Sequence, residues 1–100
     1  MNRFDERGRM ATVFEVNGTR REVHPATPPS FTLEEMQALV NGFIEMVPMA
    51  GDKMLIINEE GKLQGLLCNL EATLLVRDRL LPGDYIAGPA VLVTEQELGE

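Results

Sequence analysis

Tryptophan is absent from this 100-residue chain, and tyrosine and cysteine occur once each, as Tyr85 and Cys68. A lone thiol cannot close an internal disulfide, so the fold must rest on its apolar core, and a reducing cytoplasm is the default setting. Few large aromatics leave no platform on which unpaired bases could stack. No apolar run approaches the roughly 18 residues of a membrane span. The first ten residues, MNRFDERGRM, mix acids with arginines around no apolar stretch, so no signal peptide is expected. Positive charge is also scarce. Nine Lys and Arg face 16 Asp and Glu, for a net charge of -7. Residues 1–25 carry +1 and the rest of the chain -8. An acidic body repels nucleic-acid phosphates and phospholipid surfaces and suits a basic protein partner, although acidity also serves plain solubility.

What is present is an ordinary globular composition, 44% apolar and 25% charged, in a chain of single-domain length. Residues 1–10 are polar and lack periodicity, and read as a flexible arm. From Ala11 the run ATVFEV is rich in strand formers. Asn17-Gly18 then gives a hairpin signal, and TRREV returns as a short charged edge strand. Pro25, Pro28 and Pro29 make an extended connector.

Thr32 and Glu35 form a capping box, and Phe31 and Met36 a hydrophobic staple around it, so a helix starts at Leu33. Leu33, Met36, Leu39 and Val40 share one face, and Gly42 suits a left-handed helix end. FIEMVPM predicts a strand with Glu45 toward water, ended or placed at an edge by Pro48. KMLIIN is apolar nearly throughout and predicts an inner strand. KLQGLL predicts a third strand after the turn at Glu59-Glu60-Gly61. Asn69 caps a second helix over LEATLLVRDRL, with Leu70, Leu74 and Leu81 as its buried stripe and Arg77 and Arg79 near its end. A last strand follows Pro89, and residues 95–100 form an acidic tail.

The expected order is β-β-α-β-β-β-α-β. It describes a single α+β domain over 11–94, a mostly antiparallel sheet with two helices packed on one face.

The segments Leu33-Met36-Gln37-Val40, Gly42 to Glu45, Asn58 to Leu63, Gly65-Leu66-Asn69 and Gly83-Asp84-Ile86-Gly88 occur in this order. Together the series resembles a small phage- and plasmid-encoded family, a domain of unknown function. The resemblance covers about two-thirds of the chain, and the arm lies outside it. It departs at Leu67-Cys68, where a proline is common in the family. It implies an accessory protein of a phage or mobile element. It implies no catalytic residue, cofactor or substrate.

The residues themselves give little chemistry. Cys68 and His24 stand 44 positions apart with no orienting third group, and a buried inert cysteine is the commoner role. One Cys and one His do not make a zinc set, and no EF-hand spacing surrounds Asp52, Glu59, Glu60 or Asp84. Gly83 to Gly88 lacks the spacing and Lys-Ser/Thr of a phosphate loop. No catalytic residue, metal site or cofactor is assigned. Met36, Met46, Met49 and Met54 read as core filler, or, where exposed, as an adaptable binding surface.

The leading reading is a non-enzymatic binding module that engages a host or phage protein through an acidic and apolar surface. The alternative is a sponge for an anionic nucleotide signal, which would need Arg20, Arg77, Arg79 or the helix start at Asn69 to meet its phosphates. An enzyme built on Cys68 or Glu45 ranks third. The candidate binding residues are Glu45, Glu59, Glu60, Asn69, Arg77, Arg79 and Asp84. Nucleic acid and membrane are disfavoured as partners, and a free sheet edge leaves homo-oligomerisation open.

Overall fold

A computed structural model describes residues 11–27 and 30–94. The arm expected at 1–10 and the tail expected at 95–100 lie outside the described residues. The elements are strands β1 (Ala11–Phe14) and β2 (Arg20–Val23), helix α1 (Leu33–Val40), strands β3 (Ile44–Pro48) and β4 (Lys53–Asn58), helix α2 (Leu70–Leu75), a 3-10 turn (Arg77–Arg79) and strand β5 (Ala90–Thr94). The strands form one sheet in the order β2-β1-β5-β4-β3, with every neighbouring pair antiparallel. The α+β class and the antiparallel sheet with two helices are as the sequence predicts.

Two features differ. The segment 62–67, expected as a strand, is turn over 62–65 and irregular at 66–67. Its backbone closes on itself: Gln64 N donates to Glu60 O at 2.9 Å, Gly65 N to Lys62 O at 3.1 Å and Leu66 N to Gly61 O at 2.9 Å. These local bonds occupy groups that a ladder would use. The helices also take opposite faces of the sheet. Met36 and Val40 of α1 pack with Ala11, Val13, Ile56, Val91 and Val93. Ala72 of α2 and Val76 after it pack with Val47, Leu55, Ile57 and Ala90. Successive residues of a strand point to opposite faces, so the consecutive buried run Leu55-Ile56-Ile57 needs cover on both sides. KMLIIN is accordingly an inner strand.

The first hairpin forms where Asn17-Gly18 predicts it. Glu15 N donates to Thr19 O at 2.9 Å, and only Gly18 of the two turn residues takes a positive φ. The entry to α1 is the expected capping box. Glu35 N donates to Thr32 Oγ1 at 3.1 Å, and Thr32 N donates to the Glu35 carboxylate at 2.7 Å. The second oxygen of that carboxylate accepts from Ala26 N at 2.7 Å, which pins the proline-rich connector to the helix. These backbone donors, Thr32 first and Ala26 next, hold the Glu35 carboxyl below its ordinary pKa. At the other end Asn41, not Gly42, adopts the left-handed conformation (φ 67°). Gly42 answers to packing: a Cβ there would stand 2.7 Å from Asn58 Nδ2.

Asn58 and Asn69 are the buried polar residues among those described. Asn58 Nδ2 donates to Val40 O at 3.0 Å, and its Oδ1 accepts from Glu60 N at 2.7 Å. One side chain so ties the end of α1 to the turn after β4. Asn69 Oδ1 caps α2 by accepting from Ala72 N at 3.1 Å. Its Nδ2 donates to Phe14 O at 2.8 Å and Gly88 O at 2.9 Å.

A buried carbonyl left without a donor costs about 1–3 kcal/mol. Asn69→Ala is therefore expected to lower stability by about 2–5 kcal/mol in urea denaturation. Asn69→Asp keeps the cap acceptor but loses both donors, and is expected to be no milder. A second expectation concerns acid. The folded-state pKa of Glu35 is lowered, so its cap contributes above the ordinary glutamate range and is lost as pH falls through the lowered value. Glu35→Gln should flatten the acid side of a plot of urea midpoint against pH.

Candidate functional site

The opposite-face placement of α2 leaves one flank of its sheet face uncovered, beside edge strand β3. The residues that follow α2 and the turn after β4 wall this flank into an open cleft of about 580 Å³. Val47, Ile57, Leu80 and Ile86 supply an apolar floor, and Glu45, Glu59 and Glu60 stand exposed around it. Glu45 reaches this side by alternation, because it pairs with Ile57 while its neighbours Ile44 and Met46 point to the α1 face.

Two contacts close the wall. Gly61 lies against the 86–88 segment, where a Cβ would come within 2.5 Å of Ala87 O. Lys62 forms an ion pair with Asp84 and places its ammonium 4.9 Å over the Tyr85 ring. The hydrogen bond to Asp84 raises the Lys62 pKa. The same bond, helped by Tyr85 N donating at 2.8 Å, lowers that of Asp84. With this pair internally neutral, the lining retains the carboxylates of Glu45, Glu59 and Glu60 against the guanidinium of Arg79. Arg79 has no carboxylate partner among the described residues.

Of the candidates read from sequence, Glu45, Glu59, Glu60, Arg79 and Asp84 meet in this cleft, while Asn69 and Arg77 do not line it. Asn69 is buried, and its side chain is committed to Phe14, Gly88 and Ala72. Arg20, considered for phosphate contact, donates from Nε to Glu71 at 2.9 Å and lies 5.1 Å over the Phe14 ring. Arg77 and Arg79 sit on the 3-10 turn, because α2 ends at Leu75. Lys62, Leu80 and Tyr85 also line the cleft, and nothing in the sequence pattern marks them as binding residues. Lys62 and Tyr85 lie inside the segments 58–63 and 83–88 read above as motifs, but only folding brings those segments together.

Other expectations change with the geometry. Leu70 and Leu81, expected inside, are 66% and 77% exposed, and Leu74 is exposed as well. The short α2 instead buries the small Ala72, with Val76 after it. Cys68 is exposed rather than buried, and no hydrogen bond joins it to His24 among the described residues. Met36 is core, but Met46 is 52% exposed on β3. Among the described residues no three His, Cys, Asp or Glu converge as a metal would require, and no helix is long and apolar enough to cross a membrane.

The geometry defines a small antiparallel α+β domain with an acidic, apolar-floored cleft at one end of its sheet. The chain belongs to the DUF3846 family, a domain of unknown function, whose model matches residues 10–100. No curated protein and no solved structure matches it.

The contact at Gly61 is with backbone and cannot rotate away. Gly61→Ala is expected to cost about 1–3 kcal/mol in urea denaturation as the turn shifts off Ala87.

Proposed function

We propose that the chain is a non-enzymatic binding module whose cleft takes a basic, partly apolar segment of a partner protein. The observation that carries this reading is the pairing of three exposed carboxylates with an apolar floor, open to solvent at one end of the sheet. Apolar floors supply affinity when covered, while charges at a rim steer and select the partner. The segments 42–45, 58–63 and 83–88 all contribute to this one place. The family resemblance that these segments carry implies a phage or mobile-element setting, with a host or phage protein as the proposed partner.

The alternative, an anionic nucleotide, finds less support. Among the described residues that line the cleft, it would meet, beside the Lys62–Asp84 pair, three carboxylates against the single guanidinium of Arg79. The start of α2 is already filled by the Asn69 side chain and is only six residues from its end.

The test is fluorescence anisotropy with two short labelled peptides, one alternating lysine with valine and the other glutamate with valine. The basic peptide is expected to bind and the acidic one not to, with affinity falling as salt is added. Exposed charge pairs contribute about 0.2–1 kcal/mol each. Reversing Glu45, Glu59 and Glu60 together to lysine should thus weaken the basic peptide about tenfold. Equal affinity for both peptides, or no change in the triple variant, overturns the reading.

A further inference from the structure

The sheet ends differently on its two sides. Edge strand β2 carries Arg20, Arg21 and Glu22, all exposed, and charge of this density discourages pairing with another strand. Its arginines are also already engaged, Arg20 with Glu71 and Arg21 with Glu15. Edge strand β3 has one charged residue, Glu45, beside the exposed apolar side chains of Phe43 and Met46.

The hydrogen-bond phase of β3 shows which of its main-chain groups turn away from β4. Phe43 O accepts from Glu59 N at 2.8 Å, and Met49 N donates to Lys53 O at 2.9 Å. With Glu45 opposite Ile57 and Val47 opposite Leu55, the odd-numbered residues turn their N–H and C=O toward β4. Ile44 and Met46 therefore turn both groups outward. Pro48 occupies the next outward position, where its missing N–H costs the sheet nothing and ends the run of donors. Ile44 and Met46 point their side chains to the α1 face, while Glu45 and Val47 point theirs to the cleft.

Resting on the reading of the cleft as a site for a basic segment, we infer that the partner binds as an added β-strand on β3. Its main chain pairs with Ile44 and Met46, and its side chains alternate between the two faces. On one face basic residues lie beside Glu45 and reach the carboxylates of Glu59 and Glu60. On the other, apolar residues cover Ile44 and Met46. Main-chain bonds of this kind supply affinity, and the alternating side chains supply selectivity. A second copy of the chain fits less well. Its β3 would bring another Glu45 against the same acidic rim, and its β2 has its arginines already paired.

The test uses the lysine–valine peptide in three forms: unmodified, N-methylated at every valine, and N-methylated at every lysine. An added strand turns only every second amide toward β3. One methylated form is expected to bind about tenfold more weakly or worse, and the other to bind like the parent. A weakened valine form reports antiparallel pairing and a weakened lysine form parallel pairing. Met46→Pro, which removes an outward N–H at an edge position, should weaken the unmodified peptide to a similar degree. Binding that ignores methylation, or falls equally with both forms, overturns the added strand while leaving the acidic-cleft reading in place. No binding of the unmodified peptide overturns both. A stable dimer that Met46→Pro dissolves and the peptide does not would give this edge to a second copy and also overturn the inference.

Discussion

Two-sided burial of the inner strands is the constraint on which the rest of this structure depends. Leu55, Ile56 and Ile57 of β4 are consecutive and buried, and on β5 Val91 and Val93 alternate with Ala90 and Leu92 on the other face. A pleated strand cannot hide such a run against one layer. One helix must therefore lie on each side, and the chain supplies them unequally. The α1 face receives eight helical residues with a full capping box. The other receives six, followed by a 3-10 turn. The cleft is the part of the second face that this shorter cover leaves open.

The two buried asparagines convert that layered arrangement into a fixed shape. Asn58 stands at the end of β4 and holds both the C-terminal carbonyls of α1 and the turn that begins the cleft wall. Asn69 stands at the start of α2 and joins it to β1 and to Gly88, just before β5. Each side chain uses its amide both to donate to and to accept from backbone groups of other segments or of its own turn, and Asn58 also donates to the Gln64 side chain. A buried amide of this kind is an economical joint between layers, because a single residue both donates and accepts. The contact of Gly61 with Ala87 and the Lys62–Asp84 pair then draw the two walls together.

Charge follows the same geometry. The arginines of β2 are neutralised by Glu71 and Glu15, so the basic edge is spent inside the fold. Among the described residues the carboxylates of Glu45, Glu59 and Glu60 have no cationic partner at hydrogen-bond distance, and they stand exposed around an apolar floor. Three of the chain's 16 acidic residues are thus gathered at the open β3 end of the sheet.

Local chemistry settled much of the fold in advance. The box at Thr32 and Glu35, the turn at Asn17-Gly18, the cap at Asn69 and the apolar run of β4 each act within a few residues, and each formed where the sequence placed it. Five of the seven candidate residues also lie in the cleft. Contacts between distant segments decided the remainder. KLQGLL has strand composition, but bonds within the 58–66 turn and the approach of Gly61 to Ala87 hold it out of the sheet. LEATLL has a leucine stripe, yet the space over Leu55 and Ile57 accepts Ala72 and Val76 and leaves Leu70 and Leu74 in water. The sequence offers Asn69 as a helix cap and, for an anionic ligand, as a candidate contact; in the fold two carbonyls from other segments take its amide. Periodicity and capping are properties of neighbours along the chain. Which face is covered, and which carboxylates share a cleft, depend on residues that meet only when the sheet closes.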